Sequence, residues 1–361
     1  MGCRCIHQLV AGFRKGDAIS NTACLMREVF RSWGVKSDIY CFRSFTSKEC
    51  RSDLCELTDI EKDVSPGDIA ILHLSIGCEA NKIFPRLKCR KVIVYHNITP
   101  SKYFKLVSPE TATVLEEGRR DMAALAGVAD LNVADSAYNA AELVAAGYGD
   151  GVKVLPLPID LGMFKPGVID PVTVARNSDG HFNVLFVGRV APNKKIEDIL
   201  TAMFYLAKIE PLARFIHVGS YVGMEAYFGL LMAHASTLGL KNVTFLGSAP
   251  QDVLNACYST AHAFLCMSEH EGFCAPLVEA MLYHVPVFSL GSSAIPETLN
   301  GSGVLFSQPP NFPVIGETIA EVLHNPALRD AIVARQDRRV QEIRNRDLGG
   351  ELKALLAPFL A

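Results

Sequence analysis

Short apolar runs alternate with longer amphipathic stretches along most of the chain. The runs at 5–10, 38–42, 68–74, 91–96, 129–135 and 152–157 predict strands, each bounded by turn residues. Between the first two, Ala18, Thr22, Leu25, Met26, Val29 and Phe30 share one face of a helix reaching about Trp33, which Asp17 can cap. Helical spacing returns at 75–87, in the second part of 102–127, and at 137–146. The polar span 43–65 has no clear period and is expected to hold a short helix. Pro156, Pro158, Pro166 and Pro171, with Gly162 and Gly167 among them, mark a linker.

The alternation then resumes. Strands are predicted at 182–187, 214–218, 243–246, 263–267, 285–290 and 303–306. Helices fall between them at about 196–206, 224–238, 251–258 and 277–283, with a short one around Pro296 and Glu297. The tail, 325–361, is helical throughout by pattern. Repeated strand–helix units at this spacing predict α/β architecture, with doubly wound parallel sheets in two domains, 1–165 and 166–335. A final helix, 336–361, is long enough to return to the first domain.

Composition sharpens this picture in a few places. A chain of 361 residues with 49% hydrophobic and 20% charged residues suits two domains with large cores. The net charge of −3 makes nucleic acid an unexpected partner. The 11 cysteines show no paired metal spacing, and Cys3 and Cys5 are one residue apart. Cys41, Cys257 and Cys266 lie in or beside apolar runs and read as small core residues. A reducing cytoplasm is the simplest compartment. The N-terminus is too short and polar for a signal peptide, and no apolar stretch approaches a membrane span. Lys82, Arg86, Lys88, Arg90 and Lys91 are clustered, with Lys102 and Lys105 following. Such a patch could bring the chain to an anionic membrane surface, but a solvated face is the preferred reading.

The chemistry concentrates in 268–286, SEHEGFCAPLVEAMLYHVP. An apolar strand leads into a polar loop, then into a helix whose first turn suits Pro276. The free N–H groups and positive dipole end of such a helix suit a phosphate. Glu271 lies in the loop and Glu279 about one turn into the helix. Each carboxylate accepts two hydrogen bonds, which matches a pair of neighbouring sugar hydroxyls. One phosphate site between two diol readers fits a nucleotide-diphosphate sugar.

The words EGF, the proline, EAM and VPV resemble the signature of the retaining glycosyltransferase family 4, the glycosyl transferases group 1. The resemblance spans roughly 182–306. It implies the GT-B fold, two Rossmann-like domains facing a cleft, with acceptor recognition in the first and the donor in the second. It implies hexosyl transfer from a UDP- or GDP-sugar to a glycan or lipid-linked acceptor, in polysaccharide or glycolipid assembly, with retention and no metal or other cofactor. The donor-binding residues it implies are Gly16, Arg189, Lys195, Glu271, Gly272, Phe273, Cys274, Ala275 and Glu279. His96, Arg189, Lys195 and Glu271 would serve catalysis.

Over the first domain only GDAISN and YHNITP carry the resemblance, with Gly16 near the donor diphosphate and His96 near the sugar. Asn97 and Thr99 would line the acceptor side. The family lysine precedes a glycine, a place read here as Ile196, so Lys195 is the match and Lys194 its rival. Another GT-B enzyme, such as a sugar-nucleotide epimerase, and a non-catalytic donor-binding subunit are the competing readings.

Overall fold

A computed structural model describes residues 3–165 and 167–360. Met1, Gly2, the linker Pro166 and Ala361 lie outside the described residues. The chain forms two compact units. Unit 1 comprises Met1–Lys102, Glu110–Asp160 and Arg346–Ala361; unit 2 comprises Tyr103–Pro109 and Leu161–Asn345.

Unit 1 holds a seven-stranded sheet made of β1 (Ile6–Leu9), β2 (Ile39–Cys41), β3 (Cys55–Glu56), β4 (Ile69–Leu74), β5 (Arg90–Tyr95), β6 (Leu131–Ala134) and β7 (Lys153–Val154). Its order is β3-β2-β1-β4-β5-β6-β7, and every pair is parallel. β4 is buried along its whole length, as a central strand covered on both faces must be. Asp17 caps the helix Ala18–Ser32 by accepting from the Ser20 N–H at 2.9 Å. That helix lays Met26 and Phe30 on Ile6, Ile69 and Val92. Leu352 and Leu356 of the helix Leu348–Leu360 complete the same cluster. Each buried leucine contributes about 1.5–3 kcal/mol, enough to hold the C-terminal segment in this unit.

Unit 2 holds a six-stranded sheet made of β8 (Phe182–Val187), β9 (Ala213–Val218), β10 (Val243–Phe245), β11 (Ala263–Cys266), β12 (Val287–Leu290) and β13 (Val304–Phe306). Its order is β10-β9-β8-β11-β12-β13, again all parallel. Both sheets are therefore doubly wound, and each has one point where the strand order reverses. In unit 1 it lies between β1 and β4; in unit 2, between β8 and β11. Ligands of such sheets sit beyond the carboxyl ends of the strands at that point.

Two stretches differ in shape from the pattern-based expectation, and the helices Pro171–Asn177 and Phe312–His324 fall where no element was expected. The span 43–65 contains three 3₁₀ turns, the helix Ile60–Asp63 and the edge strand β3. A two-residue strand and single turns are too short to leave a period in the sequence. The tail is two helices, Pro326–Arg344 and Leu348–Leu360. Between them Asp347 accepts from the Gly350 N–H at 2.9 Å, starting the second helix afresh. Arg346 there donates to the Pro156 carbonyl and pairs with Glu351, both within unit 1.

The basic cluster is laced with carboxylates. Lys82 lies 3.7 Å from Glu79, Arg86 3.6 Å from Glu61 and Arg90 3.6 Å from Asp130. These are exposed pairs of a solvated face, worth little individually. Among the described residues no helix is long and apolar enough to cross a membrane.

Candidate functional site

The loops leaving β8 and β11 meet at the switch point of unit 2. Asn193 holds them together. Its side chain donates to the His270 carbonyl at 3.0 Å, and its own carbonyl accepts from the Glu269 N–H at 2.9 Å. This docking sets Lys194 against Glu271, Nζ to Oε1 at 2.6 Å. Burial pulls the Lys194 pKa down, but Glu271, aided by Cys274, outweighs it and leaves the ammonium above its ordinary range. The Glu271 N–H is held in turn by Ser293 Oγ at 2.9 Å.

The lysine register differs from the sequence reading. Lys195 has φ of +50°, a left-handed conformation in which glycine is at ease. The glycine-like place is thus Lys195 itself, and Lys194 is the residue before it. The Lys195 ammonium turns away from Glu271, to Glu197 at 2.9 Å and to Asp198 and Glu269 at 4.0 Å. Burial pushes the Asp198 carboxyl up to about 6, even against that ammonium. Lys195 therefore belongs to the helix start rather than to the loop pair, where Lys194 lies.

The helix after β11 runs Ala275–Leu282 with Pro276 in its first turn, and no side chain caps it. Gly272 is half-buried in the loop before it. Phe273 is buried, and its carbonyl accepts from Thr298 Oγ1. Cys274, at φ +69°, occupies the cap position. Glu279 accepts from the Tyr258 hydroxyl at 2.6 Å. Burial pushes its carboxyl up to about 7, while the tyrosine hydrogen bond pulls the other way.

Arg189 follows Gly188 at the end of β8; it is exposed and makes no ion pair among the described residues. Beside it, sequence reasoning missed Gly219. A Cβ at Gly219 would stand 1.9 Å from the Gly188 carbonyl oxygen, and its φ is +153°. Two strand ends approach here with no room for a side chain. The only sequence signal was a strand-terminal glycine in VGS, matching VGR at the end of β8.

Two further groups come together that the spacing concealed. The sulfurs of Cys266 and Cys274 and a carboxylate oxygen of Glu271 lie within 4.8 Å of one another, and all three residues are buried. The thiols share a hydrogen bond, which pulls Cys266 down and pushes Cys274 up.

In unit 1 the expected site residues have a different setting. Gly16 lies beyond β1 with φ of +82°, exposed, with nothing within 4 Å of a built Cβ. Its backbone explains a glycine without reference to a ligand. His96 follows β5, but its ring is committed. Nδ1 lies 2.8 Å from Asp135, and Nε2 lies 2.7 Å from Nδ1 of His73. His73 Nε2 reaches Gln8 Oε1 at 2.9 Å, and Gln8 Nε2 donates to the Ala23 carbonyl at 2.9 Å.

The Ala23 carbonyl can only accept, so it fixes the Gln8 amide and every proton after it. Gln8 Oε1 accepts from His73, His73 Nδ1 accepts from His96, and His96 shares one proton with Asp135. Burial pushes the Asp135 carboxyl up against the pull of His96, and holds His73 well below its ordinary range. Both nitrogens of the His96 ring are thus engaged by partners within unit 1. Asn97, at φ +78°, likewise donates inward to Asn139 at 2.9 Å and Glu142 at 3.1 Å.

Residues 174–339 match the family model Glycosyl transferases group 1, somewhat less than half of the chain. A D-inositol 3-phosphate glycosyltransferase of Segniliparus rotundus is 31% identical over 158 residues, 43% of this chain and 35% of the relative. The O-antigen chain mannosyltransferase B of Escherichia coli is 29% identical over 153 residues, 42% of this chain and 39% of the relative. The chain thus spans little more than a third of these curated relatives' length.

Among solved structures, Anabaena HepE in complex with UDP-glucose has a TM-score of 0.72 at 18% identity, covering 98% of both chains. A sucrose-phosphate synthase from Thermosynechococcus elongatus has a TM-score of 0.73 at 18% identity, also covering 98% of both. At such identity the likeness speaks for the fold. These matches support glycosyl transferases group 1 as the family of the stretch 174–339 and show that the chain has the GT-B fold.

Proposed function

We propose that this chain is a retaining glycosyltransferase that moves a hexosyl group from a UDP- or GDP-sugar to an acceptor hydroxyl. The observation that carries the reading is the Lys194–Glu271 pair at 2.6 Å, held at the switch point of unit 2 with an uncapped helix start beside it. A carboxylate next to an ammonium is a ready reader of a sugar joined to a diphosphate. The cation meets phosphate oxygens and the anion meets hydroxyls.

In this reading Lys194 and Arg189 neutralise the diphosphate as it leaves, aided by the N–H groups that open Ala275–Leu282. Glu271 holds sugar hydroxyls and Glu279 the ribose. No divalent ion is needed for turnover, because fixed cations meet the developing charge. The acceptor hydroxyl attacks on the face from which the nucleotide departs, its proton passing to the leaving diphosphate. The acceptor is a glycan or lipid-linked sugar recognised by unit 1. Support for that class comes from the relative named for the O-antigen chain.

The test is thermal denaturation with UDP, GDP, ADP and their sugars. A ligand at 100 times its Kd raises native-state stability by about 2.7 kcal/mol. One base should raise the Tm by several degrees, and Lys194→Ala should shrink the rise given by the free diphosphate. No shift with any of them would contradict the reading.

A further inference from the structure

Cys266 ends β11, Cys274 sits at the cap of Ala275–Leu282, and Glu271 lies in the loop between them. The strand–loop–helix turn brings together two thiols that are eight positions apart in sequence. Their sulfurs and a Glu271 oxygen fall within 4.8 Å of one another. In a tetrahedral zinc site, bonds of about 2.3 Å to sulfur and 2.0–2.2 Å to oxygen hold neighbouring ligand atoms about 3.6–3.8 Å apart. Closing the cluster onto an ion takes a shift of about 1 Å, within reach of side-chain rotation. Two sulfurs and one carboxylate leave the fourth position open, and they favour a thiophilic ion over magnesium or calcium.

We propose that Cys266, Glu271 and Cys274 bind one thiophilic divalent cation such as Zn²⁺, and that its binding displaces Lys194 from Glu271 and disables the donor loop. As each sulfur–metal bond forms, the thiol loses its proton to solvent, so binding one ion releases up to two protons. The Glu271 carboxylate changes partner without changing protonation. A divalent charge drawn onto Glu271 repels the Lys194 ammonium, now 2.6 Å from that carboxylate. The cation is therefore an inhibitor of the donor site, compatible with turnover that needs no metal. The switching half rests on the proposed function; the binding half does not.

The full, reduced chain is titrated with Zn²⁺ against a chromophoric chelator, and with Co²⁺ as a spectroscopic probe of thiolate ligation. The wild type should show a thiolate–cobalt absorption, and the Cys266→Ser/Cys274→Ser double variant should bind one equivalent fewer. Glu271→Gln should bind more weakly by at least the about 10- to 100-fold that losing an outer partner of a ligand costs.

Cys266 is wholly buried, so the double variant can fail to fold. Cys274→Ala, at 9% exposure, then decides alone. Loss of the cobalt–thiolate absorption in this variant, with an unchanged circular dichroism spectrum, supports the site. Unchanged stoichiometry and absorption in the variants would place the metal on other cysteines and overturn the proposal. Zinc should also weaken donor binding in the wild type, reversed by chelator. If the metal binds at the cluster and donor binding is unmoved, the switching half fails and the site stands. If no donor binds at all, the proposed function fails and the metal titration still reads out.

Discussion

The two units place their polar groups in opposite ways. In unit 1, Asp135, His96, His73 and Gln8 form a chain that ends on a main-chain carbonyl, with each nitrogen and amide oxygen along it used. In unit 2 the Lys194–Glu271 pair borders an uncapped helix start, and Arg189 stands exposed. A closed network makes the interior specific and rigid. An open one has capacity left for a ligand. A histidine at a strand end therefore says little until its partners are known, whereas a cation one residue before a left-handed turn says a good deal.

The largest effect expected from breaking this contrast is at Lys194. A cation on a leaving diphosphate acts in the transition state, so Lys194→Ala should lower kcat about 100- to 1000-fold with a modest change in donor KM. Lys195→Ala, whose ammonium is spent on Glu197, should lose far less. Steady-state kinetics on both variants checks this, and equal losses would place the diphosphate elsewhere.

Next comes Glu279. Loss of a charged hydrogen bond to the ribose costs about 1.5–3 kcal/mol, so Glu279→Ala should raise donor KM about 10- to 150-fold. An unchanged KM in a folded variant would remove Glu279 from the donor site.

On the unit 1 side, Asp135→Ala leaves the buried His96 Nδ1 without its carboxylate. That should cost about 1–3 kcal/mol of stability while donor affinity stays as it was. A large fall in donor affinity at full stability would show that the chain is not closed to the donor.

The last effect is pH-dependent. The Glu279 carboxyl is raised from its ordinary 4.5 to about 7. Below pH 4.5 it is neutral in both folded and unfolded states. Between 4.5 and 7 the folded state holds its proton more tightly, so the stability contributed is lost as pH rises through that window. Glu279→Gln, a neutral isostere, should thus be more stable than wild type at pH 8, by on the order of 1–3 kcal/mol, and nearly equal to it at pH 4.5. Denaturant melts at the two pH values check the sign.

The βα alternation made both sheets legible in the sequence, because central strands such as β4 are apolar throughout and helix starts such as Asp17 carry their own signal. The edge strand β3 was not legible, since two residues leave no period. At the site, Glu271 and Glu279 could be read from the loop and helix that carry them. The choice between Lys194 and Lys195 could not, because it turns on a backbone φ that two consecutive lysines do not reveal. The closure of His96 and the meeting of Cys266 with Cys274 depend on contacts between distant residues, His73 and Gln8 in one case and a chain reversal in the other.

The most direct test of the donor site uses the nucleoside diphosphate itself. Free of sugar, it carries the full charge that the leaving group only develops during transfer, so its affinity reports the interaction assigned to Lys194. Calorimetric titration of UDP and GDP into wild type, Lys194→Ala and Asp135→Ala is the measurement. The account predicts that one diphosphate binds the wild type and Asp135→Ala alike and binds Lys194→Ala about 10- to 150-fold more weakly, the cost of a lost charged hydrogen bond. Equal binding to wild type and Lys194→Ala would contradict it.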